Sequence, residues 1–535
     1  MKLKTTQVKL TLYISIFFVL LYNVTFFKKV LSVYNLTLIN ILFITSLSIV
    51  LVCVINILIN IYRSKIYFKP LIVILFLVSS ILSYVMDNFG VVVDQTMLLN
   101  VESSDYQEML DLFHVRPILY FLLLGVLPSV LIYKIQILHN SAKVEFSSRI
   151  KSIGSSLIIA ILLIFSFSKF YASFFREHKP IRYYTNPTHF IFAAGKYVSS
   201  LLMNPITSIA KVGTDAVIPT DDVDRELIIL VVGETARSDR FSLNGYSKET
   251  NPLLKKEEIV SFPNVLSCGT STAVSVPCMF SKFGRDNYSD EKAKSHENLL
   301  DILTHTKEVN VLWRDNNSDS KGVAVRGHYE DYKSPTLNTS CDVECRDEGM
   351  LVGLKEYIKS KPTGDIFIVL HQMGNHGPAY YKRYPKEFEK FKPTCQTNAL
   401  EKCTNEEIGN TYDNAILYTD YFLTQVIKLL KEHSNKFETA MVYVSDHGES
   451  LGENGIYLHG LPYFMAPIEQ IKVPLIMWFG GELREDMDFN LLKQRKSNNY
   501  SHDNIFHTML GLMEVEVSEY NEKLDILHGV SEHSE

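Results

Sequence analysis

The stretch LIILVVGE, residues 227–234, decides the fold of the C-terminal part of this chain. It is a short run rich in β-branched residues, typical of a buried strand, and it ends in a carboxylate. The same pattern recurs in VNVLWRDN (309–316), DIFIVLHQMG (365–374), AMVYVSDHGE (440–449) and VPLIMWFGG (473–481). Helical stretches separate these runs, and this alternation predicts an α/β domain.

Polar side chains follow four of these runs. In α/β sheets, functional residues lie just beyond the carboxyl ends of the strands. Those positions are occupied by Glu234, by residues 315–317, by His371 with His376, and by Asp446 with His447. A carboxylate at a helix start or a structural histidine would explain any one of them. Together, oxygen and nitrogen ligands of this kind suit zinc.

The first third of the chain has a different composition. Apolar runs lie at residues 10–27, 30–62, 70–86, 117–133 and 152–168, each near the ~20 residues that a bilayer-spanning helix needs. A cleaved signal peptide would explain only the first run. We therefore expect five transmembrane helices, and the mean hydropathy of +0.06 over 535 residues averages two unlike parts.

The loops between these runs predict an orientation, because cytoplasmic loops retain Lys and Arg. Basic residues lie before the first run, after the second and after the fourth: Lys2, Lys4, Lys9; Arg63, Lys65, Lys69; Lys134, Lys143, Arg149, Lys151. The loop after the third run is acidic: Asp87, Asp94, Glu102, Asp105, Glu108, Asp111. Lys28 and Lys29 weakly oppose this orientation. We expect a cytoplasmic N-terminus, with everything after about residue 170 outside the cytoplasm.

Cysteine positions agree with an extracytoplasmic C-terminal domain. Cys53 lies in the second apolar run, and the other six fall as near neighbours: Cys268 with Cys278, Cys341 with Cys345, and Cys395 with Cys403. Disulfides persist in oxidising compartments, so we predict three short-range disulfides. A zinc–thiolate cluster is the alternative, but the spacings are not repeated C-x-x-C pairs.

These observations divide the chain into a five-helix transmembrane domain (1–175), a connector (176–224) and a soluble catalytic domain (225–535). Pro180, Pro187 and Pro205 interrupt the connector. Its segment 189–203 mixes apolar and small residues, which is consistent with a helix on the membrane surface or with one packed on the soluble domain.

The loop CGTSTAVSVPC, residues 268–278, supplies a candidate nucleophile. A threonine hydroxyl is unreactive unaided, but bound zinc can bring the pKa of a coordinated hydroxyl or water from ~15.7 toward ~7. Thr272 would then attack phosphorus and form a covalent ester. A Ser/Thr-rich turn is the alternative explanation. His376 in GNHGP and His459 in YLHGLP add imidazoles for a second metal, a phosphate oxygen or the leaving group.

In this order, the motifs resemble those of the lipid A phosphoethanolamine transferases, including the mobile colistin-resistance enzymes. The matching stretches are VVGETARSDRFSLNGY (231–246), SCGTSTAVSVPCMFS (267–281), LWRDNNSDSKG (312–322), SCDVECRDEGML (340–351), QMGNHGPAYY (372–381), VSDHGESLGENGIYLHG (444–460) and SHDNIFHTMLGL (501–512). MDNFGVVVDQTMLLNVESSDYQE (86–108) extends the resemblance into the membrane part.

The resemblance implies a fold and a set of site residues. The fold is a transmembrane domain followed by an α/β alkaline phosphatase or sulfatase-like domain. The zinc set is Glu234, Thr272, Asp446 and His447, with Thr272 as nucleophile. His376 and His459 match a second metal or substrate site and are candidates for protonating the leaving group, while Asn317, Ser318 and Lys321 match substrate-contacting positions. The cysteine pairs match disulfides of the family.

The implied reaction moves phosphoethanolamine from phosphatidylethanolamine to a lipid A phosphate, through a phosphothreonine, outside a Gram-negative inner membrane. The modified surface is less negative, so polymyxins such as colistin bind less well. One zinc ion is expected, with a second as an alternative. We expect a monomer that contacts membrane lipids and no nucleic acid.

Other functions fit parts of this pattern. Another envelope glycan, such as a core sugar, is an alternative acceptor, and related phosphotransferases, phosphodiesterases and glycerol-phosphate polymerases share the expected fold. The absence of a C-x-P-x-R sequence disfavours a sulfatase. An inactive membrane sensor would have lost a ligand or the nucleophile, and this chain retains all four residues of the zinc set.

Overall fold

The computed structural model describes residues 4–62, 64, 66–103, 114–138, 140–203, 208–220 and 224–530. The chain forms two compact units, Met1–Leu98 with Phe113–Leu202, and Leu99–Leu112 with Met203–Glu535. Six residues used to predict the orientation lie outside the described ranges: Lys2, Arg63, Lys65, Asp105, Glu108 and Asp111.

The N-terminal unit is helical. Its helices are Gln7–Leu21, Val24–Val33, Leu38–Ile61, Phe68–Phe89, Gln95–Ser103 (which runs into the second unit), Val115–Lys134, Ala142–Ser166, Ser168–Glu177 and Thr188–Met203. Two short strands, β1 (Lys4–Thr6) and β2 (Gln136–Leu138), pair in parallel. Among the described residues, four helices are long and apolar enough to cross a membrane, and a bent pair provides a fifth candidate span.

The bent pair is Gln7–Leu21 with Val24–Val33, whose axes differ by 57°. Asn23 lies at the break, and its side-chain amide donates to the Phe18 carbonyl (2.9 Å). The same side chain bonds the backbone of Asn186, donating to its carbonyl (2.7 Å) and accepting from its amide (2.9 Å). The polar Asn23 side chain therefore satisfies backbone groups where the helix is interrupted.

Two predicted spans have different boundaries in the structure. The run 30–62 was expected to be one span, but Val33 ends a helix and the spanning helix begins at Leu38. The Thr37 hydroxyl caps this helix by accepting from the Asn40 amide, a polar start that apolar composition did not indicate. The last span begins at Ala142 rather than residue 152, because the charged segment before residue 152 is also helical.

The C-terminal unit is built on an eight-stranded sheet. Its strands are β3 (Glu226–Gly233), β4 (Ile259–Leu266), β5 (Val309–Asp315), β6 (His328–Asp331), β7 (Asp365–His371), β8 (Glu438–Ser445), β11 (Lys472–Gly480) and β12 (Tyr500–Ser501). β9 (Ser450–Leu451) and β10 (Tyr457–Leu458) form a separate hairpin. The five strands expected from the sequence are all present.

The strand order is β12-β4-β11-β8-β3-β7-β5-β6. β3 pairs in parallel with β7 and β8, and β5 pairs in parallel with β6 and β7, so the carboxyl ends of these strands share one edge. β11 runs antiparallel to β4 and β8. The shared edge therefore receives the residues that follow β3, β5, β7 and β8, and those that precede β11.

Helices pack on both faces of this sheet. They are Thr272–Met279, Gly284–Asn287, Asp290–Ser295, Leu299–His305, Leu354–Lys359, Asn405–Lys431, Glu482–Asp486, Phe489–Arg495 and Asp503–Leu512. Two buried apolar clusters, one on each face, hold the layers together. Burial of the central strands on both faces explains why their sequences are continuous apolar runs.

Candidate active site

Glu234, Asp446 and His447 meet at the carboxyl edge of the sheet. Gly233 of β3 lies opposite Ser445 of β8 in the parallel ladder, so the residues that follow these strands are neighbours. His447 Nε2 lies 3.6 Å from Glu234 Oε1 and 3.3 Å from Asp446 Oδ2. One ligand atom from each of the three residues lies within 4.8 Å of the others, and all three side chains are fully buried.

Thr272 joins this cluster from another part of the chain. It is the first residue of the helix Thr272–Met279, which begins inside the loop closed by the Cys268–Cys278 disulfide. Its hydroxyl donates to Glu234 Oε2 (3.1 Å) and lies 3.4 Å from His447 Nε2. The structure thus brings together all four residues of the expected zinc set.

The donor set fits a divalent cation. Asp446 Oδ1 accepts from the amides of Thr235 (3.1 Å) and His447 (2.7 Å), whereas buried Asp446 Oδ2 accepts no hydrogen bond from the described residues. Two carboxylates buried beside one imidazole are costly unless a cation compensates them. Carboxylate oxygens with an imidazole nitrogen are ligands that zinc uses in proteins.

The orientation of His447 is fixed by its other ring nitrogen. Nδ1 lies 2.9 Å from the carbonyl of Gly448, which can only accept, so Nδ1 carries the proton. The lone pair is then on Nε2, the atom that faces the cluster. Burial, reinforced by nearby His459, holds the pKa of His447 well below its ordinary value. The ring is therefore uncharged at neutral pH, and its Nε2 lone pair is available to bind a metal ion.

Asn317 orients Glu234. Its amide nitrogen donates to Glu234 Oε2 (2.8 Å) and to the Gln372 carbonyl (2.7 Å), so both hydrogens of the Asn317 amide are used. Its side-chain oxygen accepts from the Ser318 amide (2.6 Å). These bonds assign Asn317 a positioning role, and the contact with substrate expected from the sequence stays a prediction.

Ser318 and Lys321 lie together on the loop that follows β5. The Lys321 ammonium donates to the Ser318 hydroxyl (2.7 Å) and carbonyl (2.9 Å). Asp319 and Lys321 both adopt positive φ angles, of 91° and 50°. Backbone held in such sparsely populated conformations is concentrated at functional sites. The loop places an ammonium and a hydroxyl beside Asn317.

His376 and His459 lie near the cluster from two further loops. The ring centres of His459 and His447 are 4.4 Å apart, and those of His376 and His459 are 5.7 Å apart. Burial, with a contribution from Arg383, holds the pKa of His376 well below its ordinary value. His459 is therefore adjacent to both other imidazoles, of which His447 lies beside Thr272.

Glu449 orients His459, and sequence reasoning gave it no role. Its Oε2 lies 2.8 Å from His459 Nδ1, and the Tyr380 hydroxyl donates to its Oε1 (2.5 Å). An ionised carboxylate only accepts, so the proton of His459 is on Nδ1. The sequence feature that could have indicated this role is the position of Glu449, two residues after His447 and inside the matched stretch 444–460.

His371 belongs to the support of the site. Its Nδ1 lies 2.9 Å from Asp315 Oδ2, and the indole of Trp313 donates to the same oxygen (2.8 Å). Both His371 and Asp315 are fully buried. Burial tends to raise the pKa of Asp315, but the paired His371 and the hydrogen bonds lower it overall.

Asp347 holds the loop that carries His376, and it too was missed. Its carboxylate accepts from the amides of Met373 (2.9 Å) and Gly374 (3.2 Å). Gly374 has a φ of 50°, and a Cβ there would lie 2.9 Å from the Glu234 carbonyl oxygen. The loop therefore passes directly against the backbone of Glu234, which requires glycine at that position.

All six cysteines of the C-terminal unit are paired as the sequence predicts. The disulfides are Cys268–Cys278, Cys341–Cys345 and Cys395–Cys403, and Cys53 is a free, buried cysteine of the N-terminal unit. The first disulfide brackets Thr272. This pairing excludes these cysteines as thiolate ligands of a zinc cluster.

Comparisons with known proteins agree with this architecture. A family profile described as "Phosphoethanolamine transferase EptA/EptB" matches residues 51–202, and one described as "Sulfatase" matches residues 226–515. Phosphatidylethanolamine transferase Mcr-2 of Escherichia coli is 43% identical over 507 residues, covering 92% of each protein. Phosphoethanolamine transferase EptA of E. coli K12 is 41% identical over 520 residues, covering 94% of this chain and 93% of that protein.

Solved structures give the same result. Lipooligosaccharide phosphoethanolamine transferase A from Neisseria meningitidis, an integral membrane protein, superposes with a TM-score of 0.95 at 36% identity and 99% coverage of both chains. The periplasmic domain of phosphoethanolamine transferase EptC from Campylobacter jejuni is 45% identical with a TM-score of 0.53, covering 60% of this chain and 97% of that one. The chain therefore belongs to the phosphoethanolamine transferase family, with a membrane-spanning N-terminal part and a sulfatase-like C-terminal domain.

Proposed function

We propose that this enzyme transfers phosphoethanolamine from phosphatidylethanolamine to a phosphate of lipid A, through a covalent intermediate on Thr272. The main support is the placement of the Thr272 hydroxyl 3.1 Å from Glu234 and 3.4 Å from His447, where Asp446 completes a cluster of ligand atoms. The donor class agrees with the name of the relative Mcr-2, a phosphatidylethanolamine transferase.

In the first half-reaction, Thr272 Oγ1 attacks the phosphorus of the donor. A bond forms between Oγ1 and phosphorus, the bond from phosphorus to the diacylglycerol oxygen breaks, and diacylglycerol leaves. Glu234 Oε2, which accepts the hydrogen bond of Thr272, is positioned to take the hydroxyl proton. The start of the helix Thr272–Met279 supplies backbone N–H groups and a positive partial charge toward the phosphate.

The leaving alkoxide needs a proton. His459 is a candidate donor because its side chain is 20% exposed, unlike the fully buried His447, and Glu449 fixes its ring. His376 is the second candidate, but burial disfavours the charged ring that would give up a proton. At His459 the transferred proton would be a second one, on Nε2, because the Nδ1–H group stays bonded to Glu449.

In the second half-reaction, a lipid A phosphate oxygen attacks the same phosphorus. The bond between phosphorus and Thr272 Oγ1 breaks, Glu234 returns the proton that it took so that the hydroxyl is restored, and phosphoethanolamine is now on lipid A. Asn317, Ser318 and Lys321 are proposed to contact the phosphate groups. The Lys321 ammonium and the Ser318 hydroxyl, 2.7 Å apart, offer a charge and a hydrogen bond for that purpose.

Glu234, Thr272, Asp446 and His447 are proposed to hold one zinc ion. When bound, zinc would act as a Lewis acid that favours the ionised form of the Thr272 hydroxyl and neutralises charge that develops on the phosphate. His376 and His459 are proposed to bind either substrate or a second metal. Their ring centres are 5.7 Å apart, close enough for both to contact one phosphate group.

We propose the domain arrangement expected from the sequence: a transmembrane domain (1–175) in the Gram-negative inner membrane with a cytoplasmic N-terminus, a connector (176–224), and a periplasmic catalytic domain (225–535). The helix Thr188–Met203 would lie on the membrane surface, since it exposes Phe192 (67%) and Leu202 (76%). The enzyme is proposed to act as a monomer.

Addition of a cationic amine to lipid A lowers the negative charge of the outer surface. Cationic peptides such as polymyxins are then bound less strongly, so we expect expression of the enzyme to increase resistance to colistin. This consequence depends on lipid A being the acceptor, and mass spectrometry of lipid A from expressing cells would identify the modified group.

The covalent route is tested with the full-length enzyme and phosphatidylethanolamine alone. After incubation, peptide mass spectrometry should find phosphoethanolamine on Thr272 in the wild type, and none in Thr272→Ala. Ser271→Ala is the matched control, because it removes the neighbouring hydroxyl of the same loop and should be modified normally. An unmodified Thr272 in a wild-type enzyme that transfers to lipid A would exclude the proposed route.

A further inference from the structure

His502 lies at the end of strand β12 (Tyr500–Ser501), directly before the helix Asp503–Leu512. Its backbone amide donates to the carbonyl of Leu266, the last residue of β4 (3.0 Å). The side chain is fully buried. The resemblance to known enzymes covered this segment but gave His502 no role.

The imidazole of His502 joins two segments of the active site. Its Nε2 lies 2.9 Å from the carbonyl oxygen of Ser445, the last residue of β8. Its Nδ1 accepts from the backbone amide of Cys268 at 3.2 Å. One rigid ring therefore spans from the residue before Asp446 to the start of the loop that carries Thr272.

The chemistry of the two partners fixes the state of the ring. The Ser445 carbonyl can only accept and the Cys268 amide can only donate, so the ring is neutral with its proton on Nε2. Burial agrees with this state, since it lowers the pKa of His502 to about 4. A neutral ring with a fixed tautomer, bonded at both nitrogens, has little freedom to rotate.

These two segments carry groups that must meet. Ser445 precedes Asp446 and His447 directly, and the Cys268–Cys278 disulfide encloses Thr272. The Thr272 hydroxyl has to remain within reach of His447 Nε2, 3.4 Å away. A misplacement of ~1 Å between reacting groups can cost ~10²-fold in rate.

We propose that His502 is a positioning residue that sets the distance between the Thr272 hydroxyl and the Asp446–His447 pair by bridging Cys268 and Ser445. It makes no contact with the reacting atoms and acts through the backbone at its two ends. The inference rests on the proposed role of Thr272 as nucleophile.

Two substitutions separate the two halves of the bridge. In His502→Gln, the side-chain amide can still donate to Ser445, and in His502→Asn, the side-chain oxygen can still accept from Cys268. Because each variant keeps one bond only, each should lower kcat for diacylglycerol release at least tenfold in the full-length enzyme. The KM for phosphatidylethanolamine should be unchanged, because no group proposed to bind the donor has been altered.

His507→Gln is the matched control. His507 lies on the helix Asp503–Leu512 that follows His502, is 6% exposed, and accepts from the Asn521 amide through Nδ1 (3.2 Å), so its loss removes a backbone hydrogen bond of the same kind. It should lower the unfolding temperature as much as the His502 variants do, and leave kcat per folded molecule within twofold of wild type.

The phosphothreonine measurement separates the possible outcomes. A wild type that never forms phosphothreonine contradicts the proposed function. If the wild type forms it and the His502 variants form it at the same rate, the positioning role is wrong. If both His502 variants fail to fold while His507→Gln folds, His502 is needed for folding and the positioning role is likewise overturned.

Discussion

Thr272 Oγ1 lies 3.1 Å from Glu234 Oε2, although the two residues are 38 positions apart in the chain. Glu234 follows a central strand of the sheet, whereas Thr272 begins a helix inside a disulfide-closed loop. Both side chains are buried, with Thr272 9% exposed and Glu234 0% exposed. The hydroxyl therefore donates to a carboxylate that is already in place, in a buried site where electrostatic interactions are strong.

Replacement of Thr272 by Val should abolish turnover, because Val has nearly the same shape and lacks the hydroxyl. Thr272→Ser keeps the oxygen and should retain measurable turnover, lowered about tenfold, since serine is less restricted at χ1 and holds its hydroxyl less firmly. Diacylglycerol release from phosphatidylethanolamine measures both variants. Turnover by Thr272→Val close to that of wild type would contradict the nucleophilic role.

Asn317→Ala should weaken zinc binding or lower turnover by about 10–100-fold, the usual effect of removing a group that orients a metal ligand. The reason is the 2.8 Å hydrogen bond from Asn317 to Glu234 Oε2. Asn310→Ala is the control: Asn310 lies near the start of β5, the strand that precedes Asn317, and donates to the backbone of Asp365 (3.1 Å) at the opposite edge of the sheet. Zinc titration and kcat of the two variants should therefore differ, and equal values would remove Asn317 from the support of the site.

Without metal, Asp446→Asn should unfold at a higher temperature than wild type. Asp446 Oδ2 lies 3.3 Å from His447 in a buried group that contains a second carboxylate, and the neutral amide removes one buried charge. Zinc at 100 times its Kd should stabilise the wild type by about 2.7 kcal/mol and so raise its unfolding temperature. The unfolding temperature of the variant should not change when zinc is added. Equal zinc responses of the two proteins would show that Asp446 is not a ligand.

Stability should fall as the pH rises toward 7 because of Asp420. This carboxyl accepts from the amides of Leu253 and Leu254 (2.9 Å each), and burial raises its pKa to about 7 despite these bonds. The pKa of Asp420 is higher in the folded state than in the unfolded state. Its contribution to the free energy of unfolding is therefore complete below about pH 4 and is lost as the pH rises through about 7. The unfolding temperature of wild type should decrease from pH 5 to pH 8 by at least about 2 °C more than that of Asp420→Asn. Parallel pH profiles would contradict the raised pKa.

Short sequence patterns located the strand-end residues because the signal for them is local. Glu234 and the Asp446–His447 pair each follow an apolar run directly, so the sheet topology alone makes them neighbours. Thr272 was harder, since its position depends on how a disulfide-closed loop packs. The family resemblance, rather than periodicity, connected Thr272 with the other three residues.

Residues that support the site were missed for a physical reason. Glu449, Asp347 and His502 act through hydrogen bonds to loops distant in sequence, and such contacts leave no periodic pattern. In the membrane part, hydropathy detected five apolar runs but not the boundary at Leu38, because a single threonine cap changes the average hydropathy very little. The antiparallel direction of β11 was equally invisible, since buried parallel and antiparallel strands have similar compositions.

The disulfides of the C-terminal unit join cysteines only 4, 8 and 10 positions apart. Six cysteines admit 15 possible pairings, but if the domain is exported as proposed above, each cysteine would meet its own partner before the next pair emerges. Maturation of the enzyme should therefore require a thiol oxidant at the exit of the translocation channel, and little assistance from a disulfide isomerase.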